Sequence, residues 1–404
     1  MYLLYLSFVK LYAGFIGIAS LFHGKAKQWV KGRKNWEKKL KQHKKNLNKV
    51  YWFHCASLGE FDQAVPIMEK LKEKDPSIDI VVSFFSPSGY EIKKSYGLAS
   101  YTCYLPIDSP SNAKKFLEIL QPQKAFFIKY EVWPFYFKAL EKQNIPLYLV
   151  SATFRSNQIY FKWYGKWFLK LLHIPKGIFV QNDASKEVLN KHGVSSTVTG
   201  DTRYDKVKQN ADRKKANEIV QNFKKNDHVL ILGSSWDPEE TLIAKAFDES
   251  YKLIIAPHDV SKGNISRLNT LFPSAINYTN ISIDDTLDSK ILIVDCIGVL
   301  SNIYQYGDTA FIGGGFKNAL HNILEPATFG LPVFFGPDRE KFPESGDMIK
   351  NGSAFEIKNA EDTKALISQL FSDQKLLEEL KNKNLSFIQE RLGATDAVLE
   401  YITR

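Results

Sequence analysis

The sequence predicts an α/β protein made of two halves, each with its own parallel sheet. From residue 50 onward, short apolar runs alternate with longer stretches of helical character, and this alternation is typical of parallel strands connected by helices. It stops in a charged stretch at 205–227, which indicates a linker helix, and then starts again. The 404 residues also suit two or three domains of roughly 100–200 residues each.

The predicted elements follow in chain order. The strand candidates are 50–54, 80–85, 125–128, 146–150 and 177–180 in the first half, and 228–232, 252–256, 291–294, 309–312 and 332–335 in the second. A helix is expected to begin near Glu60. We place the domain boundaries at 1–49, 50–204 and 205–404, and expect the last helix to pack back on the first half. Ligands of such sheets bind at the carboxyl ends of the strands, so we expect the site in a central cleft between the halves.

The net charge of +10 belongs to one segment near the N-terminus. Residues 24–49 contain eleven Lys and Arg against a single acid, Glu37, and so account for the whole excess. The remaining body is neutral, which argues against a nucleic-acid-binding surface. Before this segment, residues 1–22 are apolar except for Lys10. This pattern predicts a helix in or on a membrane, with the basic segment on anionic head groups and the body in the cytoplasm. A buried first helix with a solvated basic face is the alternative.

The cysteine and metal-ligand patterns exclude several classes of protein. Cys55, Cys103 and Cys296 lie far apart, which argues against a disulfide scaffold or a Cys-rich zinc site and fits a reducing compartment. The sequence has no H-E-x-x-H motif and no convincing D-x-D motif or Cys/His cluster. We therefore expect neither a metal nor a cofactor.

Three motifs of the first half follow predicted strands or end the domain. Ser57, Gly59 and Glu60 lie in HCASLGE after the first strand, where an ionised Glu60 could act as a base or complete a capping box with Ser57. Glu131, in KYEVWP, could support it or be an ordinary loop acid. Arg203, in GDTRYD, could bind an anionic leaving group or form an inter-domain salt bridge.

Four motifs of the second half also follow predicted strands. The candidate ligand-binding residues are Ser235 in GSSW, Pro257 and His258, the triplet Gly313, Gly314 and Gly315, and then Asn322, Ile323, Leu324 and Glu325 in HNILEP. A run of three glycines favours a backbone nest for a phosphate, and Glu325 could accept hydrogen bonds from a ribose. Helix caps and a flexible turn are the structural alternatives, and a lone His is more often a structural hydrogen-bonder.

In their order and spacing, these motifs resemble those of the Kdo (3-deoxy-D-manno-octulosonate) transferase family, over nearly the whole chain. HCASLGE is similar to the family's H-x-x-S-x-G-E, KYEVWP to E-T-E-I-W-P, and HNILEP to H-N-x-L-E-P. The resemblance implies a B-type glycosyltransferase fold of two Rossmann-like domains, the first for the acceptor and the second for the CMP-sugar. It also implies metal-free, inverting transfer of Kdo from CMP-Kdo to the lipid A precursor lipid IVA, at the cytoplasmic face of the bacterial inner membrane.

The resemblance also implies roles for individual residues. Glu60 would be the general base, Glu131 and Arg203 would support the transition state, and the second-half motifs would hold CMP. One departure is that Pro257-His258-Asp259 stands where the family has P-R-H-P-E-R, so the family's arginine is absent. The rival interpretations are a UDP-sugar transferase or epimerase of the same fold, and a non-catalytic protein that binds the membrane surface.

Overall fold

The computed structural model describes residues 1–282, 285 and 287–403. It divides into two compact units, the first formed by Met1–Lys206 together with the segment from Leu392, and the second by Val207–Arg391. Each unit contains one seven-stranded sheet whose strands all pair in parallel. The predicted α/β class with two Rossmann-like units is therefore confirmed.

The sheet of the first unit has the strand order β3-β2-β1-β4-β5-β6-β7. Its strands are β1 (Lys49–Cys55), β2 (Ile78–Phe84), β3 (Ala99–Tyr104), β4 (Lys124–Ile128), β5 (Leu147–Ala152), β6 (Gly177–Val180) and β7 (Thr197–Val198). The helices up to the boundary are α1 (Tyr2–Ala19), α2 (Gly24–Arg33), α3 (Trp36–Lys44), α4 (Leu58–Lys74), α5 (Pro87–Lys93), α6 (Pro110–Leu120), α7 (Pro134–Lys142), α8 (Lys166–Leu169), α9 (Asp183–Asn190) and α10 (Thr202–Asp212).

The sheet of the second unit has the order β10-β11-β9-β8-β12-β13-β14. Its strands are β8 (Val229–Ser235), β9 (Lys252–Pro257), β10 (Ile276–Asn277), β11 (Ile291–Ile293), β12 (Thr309–Ile312), β13 (Val333–Phe335) and β14 (Ala354–Glu356). The remaining helices are α11 (Glu218–Lys224), α12 (Asp237–Ala246), α13 (Lys262–Leu271), α14 (Leu300–Ile303), α15 (Leu324–Thr328), α16 (Pro343–Lys350), α17 (Ala360–Ser372), α18 (Gln374–Gln389) and α19 (Ala394–Thr403).

All ten predicted strands are present, with ends that differ from the prediction by up to three residues. The predicted helix near Glu60 begins two residues earlier, at Leu58. The stretch at 205–227 forms parts of two helices, α10 and α11, rather than one linker helix. The break lies at 213–217, where four of the five residues are polar or charged and leave little apolar surface to bury.

Apolar side chains cover both faces of the first sheet, as expected for parallel strands. On one face, Trp52 packs against Phe116 and Phe127 at ring-centroid distances of 5.0 and 5.1 Å. On the other face, Phe53 stacks on Phe126 at 4.5 Å. The C-terminal helix α19 joins this second cluster through Val398, Leu399 and Ile402, so a segment distant in sequence completes the core of the first unit.

Helix α1 has one face on the body of the first unit and one face exposed. It has a mean hydropathy of 1.6 and is long and apolar enough to cross a membrane, although only 6% of it is buried. Tyr5 donates a hydrogen bond to Asp108 over 2.8 Å, and Tyr2 packs on Trp167 at 5.0 Å. The contacts therefore fix one side of α1 and leave an apolar side without protein partners among the described residues.

We expect Gly313→Ala to destabilise the second unit by about 1–3 kcal/mol. The new methyl group would lie 2.2 Å from the carbonyl oxygen of Ser234, because the chain after β12 crosses close to the end of β8 here. Gly263→Ala in α13 is the matched control, since nothing lies within 4 Å of its added methyl group and alanine favours helix over glycine by about 0.5–1 kcal/mol. Urea unfolding measures both variants. A Gly313→Ala protein as stable as the wild type would contradict the close crossing.

Candidate active site

The first acid of the candidate site, Glu60, lies in the first turn of α4, directly after β1. Its side chain is 7% exposed, and its carboxylate accepts hydrogen bonds from the backbone N–H groups of Ala56 and Ser57. The Ser57 side chain makes no capping hydrogen bond with the described residues. The capping box considered from the sequence is thus half formed. Glu60 serves as a helix cap, which also fixes the direction of its carboxylate.

The second acid, Glu131, follows β4, and β4 pairs with β1. Burial and then the nearby charge of Glu60 raise the pKa of Glu131 to about 8, while a 3.1 Å hydrogen bond from Trp133 opposes this shift. Burial also raises the pKa of Glu60, but Lys129 and the two backbone N–H groups counteract it. At neutral pH, Glu131 therefore holds the proton of the pair and Glu60 is the carboxylate available as a base.

Lys129, between β4 and Glu131, has a strained backbone. Its φ of +59° is in the left-handed region, which costs a residue with a side chain about 1–3 kcal/mol and is often found at functional sites. A 2.8 Å hydrogen bond from its N–H to the carbonyl oxygen of Val150 holds it there. The strain turns the chain at the end of β4, where the Lys129 charge lowers the pKa of both acids.

Arg203, in the first turn of α10, is paired within its own unit. Its Nε donates to Asp201 over 2.8 Å, and Gln63 of α4 donates to the same carboxylate over 2.9 Å. The alternative considered from the sequence was an inter-domain salt bridge, whereas this salt bridge joins Arg203 to Asp201 of the same unit. Because Gln63 and Glu60 are on the same helix, this network fixes the Arg203 guanidinium relative to α4.

In the second unit, His258 belongs to a stacked aromatic cluster. Trp236 stacks on His258 at 4.5 Å, and His258 on His321 at 4.6 Å. Trp236 Nε1 also lies 3.2 Å from His321 Nε2, as a hydrogen-bond donor. Burial and then His258 lower the pKa of His321 to about 4, so the ring is neutral and can accept this bond. Lys317 Nζ lies 4.8 Å from the centre of the Trp236 ring and adds a positive charge.

His258 is a site residue predicted from the sequence, whereas the other three members of the cluster, Trp236, His321 and Lys317, are not. Trp236 and His321 lie in the GSSW and HNILEP motifs, next to predicted site residues. Lys317 follows the glycine triplet by two residues. Their only signal is this closeness to the motifs, because ring stacking between residues so far apart in sequence depends on the fold.

Two of the three backbone N–H groups of the glycine triplet already have acceptors. Gly313 N–H donates to the carbonyl oxygen of Gly233 over 2.9 Å, and Gly314 N–H donates to Glu239 over 2.8 Å. Glu239 is fully buried, and burial raises its pKa against the opposing effect of backbone hydrogen bonds that include those from Trp236 and Gly314. A carboxylate thus occupies the expected phosphate nest, and the role of this loop in ligand binding stays a prediction.

The other selected residues differ in what they can offer a ligand. Ser235 is 1% exposed and donates its hydroxyl to Glu240 over 2.7 Å, so that group is already used. The side chains of Ile323 and Leu324 are 1% and 0% exposed, which leaves only their backbone for contact.

The polar residues of the HNILEP motif are more accessible. Asn322 is exposed and Glu325 half-buried, and a 3.2 Å hydrogen bond joins them. Asn322 also caps α15 by accepting a 3.1 Å hydrogen bond from Leu324 N–H.

In contrast, Pro257 is buried in β9, and His258 after it is exposed. Within the described residues, no three His, Cys, Asp or Glu side chains group in a way that could hold a metal ion.

Two α/β units, each with one parallel sheet, are the architecture of the B-type glycosyltransferase fold. Solved structures share this fold. A UDP-GlcNAc 2-epimerase from Neisseria meningitidis matches with a TM-score of 0.61 at 14% identity, covering 88% of this chain and 100% of that one. MurG from Acinetobacter baumannii matches with a TM-score of 0.55 at 13% identity, covering 88% and 99%.

Sequence comparisons then give the family that the chain resembles. The family model described as 3-deoxy-D-manno-octulosonic-acid transferase (kdotransferase) matches residues 34–206. The 3-deoxy-D-manno-octulosonic acid transferase of Aquifex aeolicus is 28% identical over 343 residues, which cover 82% of this chain and 88% of that protein. That of Haemophilus influenzae is 24% identical over 376 residues, with coverage of 87% and 86%. The chain is therefore similar to Kdo transferases over most of its length, and this similarity supports the predicted glycosyltransferase.

Proposed function

We propose that the protein transfers Kdo from CMP-Kdo to the lipid A precursor lipid IVA, with inversion, at the cytoplasmic face of the bacterial inner membrane. The observation that carries the proposal is the pair of acids Glu60 and Glu131 at the ends of neighbouring strands. Burial raises the pKa of both, and Glu131 keeps its proton to about pH 8. Such a division of one proton between two acids suits one base and one hydrogen-bond donor.

The proposed reaction breaks the bond between the anomeric carbon of Kdo and the phosphate oxygen of CMP. An acceptor hydroxyl oxygen forms the new bond to that carbon on the opposite face, which inverts the configuration. Glu60 takes the hydroxyl proton, and the bond pair of the broken bond leaves with CMP as a phosphate anion. Protonated Glu131 can donate a hydrogen bond to a substrate oxygen while Glu60 carries the negative charge.

We assign nucleotide binding to the second unit. We also assign to its side chains the stabilisation of the negative charge that develops on the departing CMP. His258 is exposed beside Trp236, and Lys317 supplies a full positive charge near these rings. Fixed positive groups that face a developing anion lower the barrier to its departure. Since Glu239 and a backbone carbonyl already accept from the N–H groups of Gly314 and Gly313, these side chains are the better candidates. Arg203 is our further candidate for this charge.

An apolar helix beside basic helices supports attachment to a membrane surface. The large apolar side chains exposed on α1 include Leu3, Leu4, Phe8, Leu11, Phe15 and Ile18, and Lys10 is also exposed. Most of the basic residues that follow it in α2 and α3 are exposed, and each Lys or Arg near an anionic surface contributes about 1 kcal/mol. Arg33 is one of the basic residues counted in this segment, but it is buried and so does not add to the exposed basic surface. It is 8% exposed, and its guanidinium donates to the carbonyl oxygens of Trp29, Phe85 and Leu105.

The direct test is purified protein with CMP-Kdo and lipid IVA, with products counted by mass spectrometry. We expect products heavier by whole Kdo units, and a loss of about 10²–10⁴-fold in kcat for Glu60→Gln, because the variant cannot take the hydroxyl proton. Glu73→Gln, on the exposed side of the same helix, is the matched control and should keep normal activity. Absence of product from the folded wild type would contradict the function. Near-normal transfer by Glu60→Gln would contradict the base assignment.

The choice of nucleotide separates CMP-Kdo from the UDP-sugar alternative. We expect CMP to raise the melting temperature and UDP to leave it nearly unchanged, since a ligand at 100 times its Kd stabilises by about 2.7 kcal/mol. His258→Ala should reduce the shift caused by CMP, because it removes a ring from the nucleotide site. Differential scanning fluorimetry measures both effects. A larger shift with UDP would favour a UDP-sugar enzyme.

The unequal pKa values of the two acids predict the pH profile. We expect kcat to fall above about pH 8, as Glu131 loses its proton and its ability to donate a hydrogen bond. Glu131→Gln stays neutral and should abolish this fall. On the acid side Glu131 is already protonated in the wild type, so the substitution removes no charge there and that limb should stay in place. Initial rates from pH 5 to 10 measure both limbs. An unchanged alkaline limb in Glu131→Gln would assign it to another group.

A further inference from the structure

A cavity of about 400 Å³ lies in the first unit between α1 and the body. Helix α1 contributes Val9 and Tyr12 to its lining, and α2 contributes Trp29. The body contributes Phe85, Trp133 and Glu131. The volume is within the range of about 300–1,000 Å³ that is typical of small-ligand sites. The cavity is therefore large enough to bind a small ligand or one portion of a larger ligand.

The wall of this cavity is mainly aromatic. Phe85 lies 6.2 Å from Tyr12, 5.8 Å from Trp29 and 5.0 Å from Trp133, as ring-centroid distances. Each ring thus supports the next, which makes the wall rigid. The transfer of an apolar ligand from water into a cavity of this kind is favourable in free energy. Its chemistry suits a hydrocarbon chain better than a sugar or a nucleotide.

The cavity adjoins the candidate active site through Glu131. This acid belongs to its lining, and Trp133, which also lines it, donates the 3.1 Å hydrogen bond to the Glu131 carboxylate. The other lining carboxylate, Asp108, already accepts the hydrogen bond from Tyr5 of α1. Glu131 is thus the lining acid that the proposed function places beside the acceptor.

The cavity also adjoins the proposed membrane surface through α1. Phe8 lines the cavity and is 66% exposed, and Leu4 and Leu11 on the same helix are 68% and 63% exposed. One helix therefore presents apolar residues both to the cavity and to the exterior. An acyl chain that follows α1 from the lipid phase meets apolar side chains in both places.

We propose that this cavity holds one acyl chain of the lipid acceptor, with α1 as a wall of the acceptor site. The inference rests on the proposed function, in which the acceptor is acylated. It assigns α1 two tasks, since the exposed face meets the membrane and the inner face orders a substrate chain. An acyl chain held here places the acceptor head group near Glu131.

Val9→Trp tests the inference by filling the cavity, and Ile92→Trp at an exposed position of α5 (62% exposed) is the matched control. Rates are measured in phospholipid vesicles with lipid IVA, and in solution with the same phosphorylated disaccharide stripped of its acyl chains. We expect Val9→Trp to raise KM for lipid IVA at least tenfold and to leave KM for the stripped acceptor unchanged. Ile92→Trp should change neither value. An equal effect of Val9→Trp on both acceptors, or no effect on either, would overturn the inference.

Photo-crosslinking of the wild type gives a second measurement that needs no variant. Myristic acid with a terminal diazirine is irradiated with the protein, and labelled residues are identified by mass spectrometry. We expect labels at Val9 and Phe85 that unlabelled lipid IVA suppresses. Labels only at Leu4 and Leu11 would overturn the inference. If the wild type transfers no Kdo to either acceptor, the proposed function fails, and the crosslinks alone decide whether the cavity binds an acyl chain.

Discussion

The chemistry of the first unit depends on the burial of two carboxylates at the ends of neighbouring parallel strands. Because β1 pairs with β4, the segments that carry Glu60 and Glu131 leave the sheet at the same edge. Two acids in such surroundings cannot both be charged at low cost, so their environments decide which one holds the proton. Backbone N–H groups favour the ionised form of Glu60, whereas Glu131 has a single indole donor. Lys129 limits the cost for both, and the strain in its backbone is part of what positions it.

The second unit uses a carboxylate for a different purpose. Glu239 is fully buried and binds backbone N–H groups around the glycine loop, so it serves as a fixed internal anion that shapes the loop. Gly315 also has a structural reason to be glycine, since an added methyl group would lie 2.4 Å from the backbone nitrogen of Gly336. Three consecutive glycines are therefore explained by close backbone approach. Recognition of a ligand falls to exposed side chains nearby, and Trp236, His258 and Lys317 form the group best placed for it.

Burial explains which parts of the fold the sequence could predict. The ten predicted strands are the interior strands of both sheets, and such strands appear as continuous apolar runs because both of their faces are covered. The four strands that were missed, β3, β7, β10 and β14, are all edge strands, whose side chains are largely half-exposed. In the site, motif order located the strand-end acids. Contacts that depend on tertiary structure could not be predicted, such as the stack of Trp236 and His258 or the burial of Arg33.

The attachment of α1 shows why an apolar helix can be more than an anchor. A helix that served only to hold the protein on a membrane would need no specific polar contact with the body. Yet Tyr5 donates to Asp108, whose carboxylate also accepts hydrogen bonds from the N–H groups of Phe135 and Tyr136 at the start of α7. That helix directly follows the segment with Glu131 and Trp133. Burial raises the pKa of Asp108 to about 7, so burying its charge is unfavourable. The hydrogen bonds from Tyr5, Phe135 and Tyr136 offset this effect. Through Asp108, the position of α1 is tied to the loop that carries the second acid of the candidate site.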